Sequence, residues 1–422
     1  MTGPSTLNVR LHERLIGTLT HLGAERTIFA LTDDYIQDPE RPTLSLRFKD
    51  TMGELMTDFR PYKIKLMPFF SNLLPEGHLR KYLAHRAHIH PEREYFLLRI
   101  LGRDLPGAVT VEPADPEAWA TEPGLESPGQ ESAEKPHAGA LRFSLAGVQL
   151  KFSAAADAKG GLTIPASGVG GDWILKLPSR EYRGIPENEF SMMTLARQIG
   201  ILVPDIALVP IASIQNLPEG IGHFGDTAFV IKRFDRTETG SVHIEDFAQV
   251  FDVYAEDKYQ RASFRNIAAV IAAESGTQDI AEFIRRLTFN TLIGNGDMHL
   301  KNWSLMYPDT RHARLSPAYD FVSTIAYIPQ DQAALTFSRT RGFETFTEDE
   351  LLHLATKAGL PRKLVIDTAR ETLATFLDLW PREKKNLPMH QDVVAAIDRH
   401  LTRLPLVIGA KANRTINKRA AS

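Results

Sequence analysis

The 422-residue chain contains no cysteine, which removes disulfide frameworks, thiol nucleophiles and thiolate-held zinc or iron–sulfur centres from the functions open to it. It also lacks an excess of either charge: 49 basic and 52 acidic residues leave a formal charge of -3. Domains that hold nucleic acid by bulk attraction carry a marked basic surplus, so contact with DNA is expected only indirectly. No run approaches the roughly 20 apolar residues that span a bilayer, and the opening stretch MTGPSTLNVR has no apolar core of the signal-peptide kind. A cytoplasmic protein with no membrane partner is expected. Internal repeats are missing, and around SLAGVQLKF there is neither a Walker A sequence nor a dinucleotide GxGxxG.

What remains is ordinary globular composition, 43% hydrophobic and 24% charged, in a chain long enough for two or three domains. Residues 7 to 49 hold β-favouring runs, LNVRL, TIFAL and TLSLRF, separated by polar or Pro-containing stretches. From residue 66 the pattern turns helical. Pro91 suits a helix start, and Tyr95, Leu98 and Leu101 share a face. A first unit over 1–112 is expected. Residues 113–140 are rich in Pro, Glu, Ala, Ser and Gly and read as a linker or exposed insertion. Within 141–243, WILKL and TAFVIKRF read as buried strands flanking a helix that begins near Glu187. From about Ile244 to residue 405 the chain looks mainly helical, with helices expected over 347–359, 362–380 and 390–403, and 406–422 is a short basic tail.

NGDMHLKNWSLMY, residues 295–307, carries the densest chemistry. Asp297 and Asn302 stand five residues apart after a helix whose stripe is Ile280, Phe283, Ile284 and Leu287. Protein kinases use that separation for a base that accepts a hydroxyl proton and an asparagine that holds Mg²⁺. His299 and Lys301 could then neutralise phosphate charge. The competing readings are a polar turn, in which Asp297 and Asn302 satisfy backbone groups, and a metal site built on Asp297 and His299.

Three further positions bear on the choice. Asp320, in SPAYDFVST, sits among apolar neighbours, where a carboxylate is costly unless it is paired or metal-bound. Lys176 lies inside the strand-like WILKL; such a lysine ordinarily extends to solvent. Glu189 opens a helical stripe continued by Met192, Met193, Ala196 and Ile199, and an acid there either meets the helix dipole or pairs with Lys176, as kinases pair a strand lysine with a helix glutamate. Ala146 and Gly147 in SLAGVQLKF leave room for backbone amides to approach a phosphate, with Lys151 adding charge. Phosphoryl transfer needs positioning and charge neutralisation more than covalent chemistry, and in this order the residues supply both.

The stretches LLPEGHLR, GRDLPGAV, SLAGVQLKF, WILKLP, ENEFSMMTLA, FVIKRFDR, GDMHLKN and AYDF resemble the HipA family of bacterial toxin serine/threonine kinases. The resemblance implies an α/β (α+β) protein-kinase-like bilobal fold: a β-rich N-terminal subdomain, a mixed α/β ATP-binding lobe and a mainly helical C-terminal lobe. It implies an ATP- and Mg²⁺-dependent kinase acting as the toxin of a toxin–antitoxin pair, inhibited by a HipB-like helix-turn-helix antitoxin through which DNA is reached. Its target would be a translation component such as an aminoacyl-tRNA synthetase, slowing growth toward persistence.

By position the resemblance makes Asp297 the base, Asn302 and Asp320 the Mg²⁺ ligands, and Lys176 the phosphate contact. Ala146, Gly147, Val148, Gln149, Leu150 and Lys151 form the phosphate loop. The backbone of Lys232 and Phe234 meets adenine and Asp235 lies near the ribose, with Lys232 standing where the best-known member has a glutamate. Ser144 is the implied autophosphorylation site, where a group of about -1.5 to -2 charge competes with ATP phosphates. The alternatives are a small-molecule kinase of the aminoglycoside or choline type, which shares the D-x-H-x-x-N loop, and a catalytically dead antitoxin-binding partner, which has no need of the full set.

Overall fold

The computed structural model describes residues 5–115, 151–156, 162–164, 171–179, 181–217 and 225–411. Ser144 and the stretch Ala146 to Leu150 of the expected phosphate loop lie outside them, as does nearly all of the insertion expected over 113–140.

The chain opens with strands Ser5–Leu11, Arg14–His21 and Arg26–Leu31. Alternation buries Leu7, Val9 and Leu11 on one face, the period-two signature of a sheet covered on one side. Strand Val109–Pro113 returns to pair with the first, and Tyr62–Lys63 borders the other edge, giving a five-stranded antiparallel sheet. Phe29, Phe48, Phe69 and Phe70 pack over it with ring centroids 5.0–6.0 Å apart. The run TLSLRF does not continue as a strand. Its Leu46–Phe48 segment is a 3₁₀ turn, because Ser45 Oγ accepts the Arg47 N–H while Ser45 and Leu46 donate to Glu245 from another part of the chain. The helix Glu94–Leu101 starts later than Pro91 suggests.

A second, six-stranded sheet runs in the order Ile214–Gln215, Leu162–Thr163, Lys151–Ala156, Trp173–Lys176, Thr227–Lys232, Ile206–Pro210. Strand Thr227–Lys232 shows how it is held. Ala228 and Val230 face a small core with Phe152 and Leu175, whereas Phe229 and Ile231 face the large core with Met192, Met193 and Ala196 of helix Ile185–Gln198. A side chain of this size contributes about 1.5–3 kcal/mol when fully buried, so the helix is fastened to one face of the sheet.

Beyond residue 243 the large core gathers helices Phe264–Glu274, Thr277–Ile293, Glu348–Ala358, Arg362–Glu383 and Gln391–Leu401 around Phe283, Phe289, Trp303, Phe337 and Phe376. The helix expected over 362–380 runs on to Glu383, with Pro381 inside its last turn. Gly294 ends Thr277–Ile293 in the left-handed region at φ +65, and any β-carbon there would meet the Ile325 side chain at 2.4–2.9 Å. Only glycine serves both demands, so the chain turns there into the NGDMHLKN loop.

Candidate active site

The loop is set from its own residues first. Asn295 donates from Nδ2 to Asn290 Oδ1 at 2.7 Å and accepts the Asp297 N–H on Oδ1 at 3.0 Å. Asn302 Nδ2 donates to the Asp297 carbonyl oxygen at 2.7 Å, and the His299 N–H donates to the same oxygen at 2.8 Å. The five-residue spacing therefore closes on Asp297. Its carboxylate is exposed, and Tyr259 donates its hydroxyl to Oδ1 at 2.5 Å. Surrounding protein mass pushes the Asp297 carboxyl up, with Tyr259 and Lys258 pulling the other way and Asp320 adding to the rise.

Lys176 is paired with Glu189 and also with Asp320. Lys176 is 3% exposed and Glu189 1%, so the lysine does not extend to solvent. Burial pushes the Glu189 carboxyl up while Lys176 opposes the shift. Lys151 stands directly opposite Lys176 in the strand register and reaches Asp320 Oδ2 at 3.0 Å. Like charges facing each other across strands are destabilising; Asp320 between them offsets the repulsion. Burial works against charge on both partners, but Lys151 and Lys176 hold the Asp320 carboxyl far below its usual range, and Asp320, Glu189 and Asp297 raise Lys151.

Asp320 also sits at φ +60, a left-handed conformation uncommon outside glycine though easier for Asp than for most residues. Strain of that kind collects at functional sites. Its loop is stitched to the Asp297 loop: Tyr319 donates to the Lys301 carbonyl at 2.9 Å and the Thr324 and Ile325 amides donate to that of Gly294.

Two expected roles change. His299 is buried, and burial together with Lys258 holds it down to about 3; the neutral ring cannot neutralise phosphate charge. Lys301 stays charged, but its ammonium is committed to Asp246 at 3.1 Å, Glu76 at 3.3 Å, and the Asn72 carbonyl and Oδ1 at 3.1 and 2.9 Å. It fastens the loop to Asp246 and to the amino-terminal unit.

At the expected adenine contact, Phe234 stacks on Tyr319 with centroids 5.8 Å apart, and the Lys232 N–H donates to the Asp205 carbonyl at 2.8 Å. Asp235 is 4% exposed and accepts from Arg233 at 3.0 and 2.9 Å, Arg236 at 2.9 Å and the Gly107 N–H at 2.8 Å. Asp104 bridges the same two arginines. With its oxygens so occupied, Asp235 clamps the second sheet to the GRDLPG turn and is not presented to a ribose. Tyr259, Lys258, Asn295 and Glu76 were missed from sequence. Only Asn295 and Glu76 carried a signal, lying inside NGDMHLKN and LLPEGHLR.

Comparison with known proteins bears on the family and the fold. Residues 143–380 match the HipA-like C-terminal domain and residues 7–112 the HipA N-terminal domain. The candidate kinase Y4dM of Sinorhizobium fredii is 57% identical over 94% of this chain and 96% of its own. The serine/threonine-protein kinase toxin HipA of Shewanella oneidensis is 26% identical over 86% of this chain and 85% of its own. Among solved structures, the Shewanella oneidensis complex of HipA, HipB and operator DNA superposes with a TM-score of 0.69 at 23% identity, covering 95% of this chain and 96% of that one. The chain belongs to the HipA family and has its kinase-like bilobal fold.

Proposed function

We propose that this HipA-family chain is an ATP- and Mg²⁺-dependent protein serine/threonine kinase that acts as the toxin of a toxin–antitoxin pair. One observation carries the reading: four segments of the chain bring Lys151, Lys176, Glu189 and Asp320 together, near enough to Asp297 for Asp320 and Lys151 to act on its charge. Lys151 and Lys176 can exchange Asp320 for nucleotide phosphates, since a phosphate offers both ammonium groups the same charge-assisted bonds. Asp297, oriented through its own backbone by Asn295 and Asn302, accepts the proton of the attacking hydroxyl. Phe234 and the backbone at Lys232 border the place for adenine.

Among the described residues no three His, Cys, Asp or Glu side chains form a preformed metal cage. The ionised Asp320 and the Asn302 amide oxygen suit a hard cation that takes its remaining ligands from phosphates and water, as Mg²⁺ does. When bound, such an ion supplies neutralisation of phosphate charge.

Self-modification at Ser144 and a translation component, such as an aminoacyl-tRNA synthetase, as target belong to the same reading, as does a HipB-like antitoxin that carries the DNA contact. The chain's charge of -3 and the presence of HipB and operator DNA with the Shewanella oneidensis protein support the partner. Incubation of the purified chain and a cell extract with γ-labelled ATP tests the proposal. Label is expected on a protein hydroxyl and is lost when Mg²⁺ is chelated; no transfer to the chain or to any extract protein overturns it.

A further inference from the structure

The amino-terminal unit reaches the Asp297 loop through the turn from Asn72 to Glu76 between helices Pro68–Ser71 and Gly77–Arg86. Glu76 reaches two lysines from there. Its Oε2 accepts from Lys258 Nζ at 2.9 Å, and its Oε1 lies 3.3 Å from Lys301 Nζ. Each lysine is the immediate neighbour of a group that holds Asp297. Tyr259, next to Lys258, donates to the Asp297 carboxylate; Asn302, next to Lys301, donates to its carbonyl. A third tie joins the two sides, since the Leu300 N–H donates to the Lys258 carbonyl at 3.3 Å.

Asn72 completes the turn's grip. Its Nδ2 donates to the Pro68 and Val253 carbonyls at 2.9 and 2.8 Å, while its carbonyl and Oδ1 accept from Lys301. We infer that Glu76 is a positioning residue of the amino-terminal unit, which holds Asp297 from both sides through Lys258–Tyr259 and Lys301–Asn302 and so makes that unit part of the reaction site. This rests on the kinase reading for its effect on rate, and on geometry alone for its effect on the loop.

The charges are consistent with such a brace. Burial alone would raise the Glu76 carboxyl, yet Lys301 and Lys258 hold it down at about 2, so it stays ionised across the working range of pH. The two arms differ in redundancy. Lys301 keeps Asp246 and Asn72 when Glu76 is removed, whereas no other ion pair of Lys258 is present among the described residues. The Tyr259 side is therefore expected to loosen first.

Hydrogen exchange of the full chain tests this without needing a substrate. Glu76→Ala is expected to speed exchange in residues 294–303 by about tenfold, as local opening becomes easier, and to leave strands Ser5–Leu11 and Arg14–His21 as protected as before. Glu76→Gln, which keeps the shape without the charge, is expected to fall between. In a transfer assay kcat drops and the KM for ATP holds. Unchanged protection over 294–303, or a uniform rise along the chain, overturns the inference. If Glu76→Ala does not fold, Glu76→Gln is read by the same criterion. A parent chain that transfers no phosphate defeats the kinase reading, while the exchange result still decides this one.

Discussion

In the candidate site, Asp320 lies between Lys151 and Lys176 and stays ionised. At the seam between the amino-terminal unit and the helical lobe, Glu245 is fully buried and has no ion-pair partner among the described residues. It accepts from Ser45 Oγ at 2.5 Å, the Leu46 N–H at 2.9 Å and the Tyr307 hydroxyl, and burial pushes it up to about 7. His243, two residues before it, donates from Nε2 to the Leu44 carbonyl at 2.7 Å, and burial holds it down to about 4. Two acids on one chain thus meet desolvation in opposite ways. Where the partners are ammonium groups, the charge survives and can be exchanged for a ligand's charge; where they are hydroxyls and an amide, proton uptake answers the burial.

The difference can be broken most forcefully at Lys176. Lys176→Met leaves Glu189 buried without its cation and is expected to cost about 3–5 kcal/mol in urea unfolding. Adding Glu189→Leu should recover most of that stability without recovering ATP affinity, because it removes the stranded buried acid while the lysine that would meet the phosphates is still absent. An unaltered urea midpoint in the single variant would show that the pair is not anchoring the lobe.

Asp297→Ala separates chemistry from folding on the same side of the comparison. It is expected to lower phosphoryl transfer by about 10² or more while the thermal midpoint stays near that of the parent, since the carboxylate is half open to solvent. Parent-like activity would remove Asp297 from the role of base.

A smaller effect belongs to the seam. The folded pKa of Glu245 lies above its unfolded value, so its contribution to stability is complete below about pH 4.5 and is lost as pH rises through about 7. Glu245→Gln is expected to flatten that loss, on the order of 1–3 kcal/mol between pH 5 and 8, in a series of thermal midpoints. The same downward slope in the variant would assign the titration elsewhere.

Much of the site could be read before any fold was known. The separation of Asp297 and Asn302 is local, so a loop can close on it without help. Lys176 in an apolar strand and Glu189 on an apolar stripe each signalled a buried charge in want of a partner. What stayed hidden was long-range and polar. Asp235 looked like a ribose contact from its place after FVIKRF, yet Arg233, Arg236 and Gly107 claim it. Ser45 sat in an apparent strand until Glu245, 200 residues away, claimed its hydroxyl. Glu76 carried no chemical signal beyond its place in LLPEGHLR.

By itself the sequence determined which segments bury, where they turn and which charges stand in apolar surroundings, because periodicity and propensity act over a few residues. It also carried the family, through stretches spread from residue 74 to residue 321. Only the tertiary structure decided which charge meets which: that Lys176 answers both Glu189 and Asp320, that Lys301 is committed to Asp246 and Asn72, and that Glu76 grips the loop around Asp297. The partner of a buried ion is chosen by three-dimensional proximity and by the desolvation it must offset, and neither quantity is written in the spacing of residues along a chain.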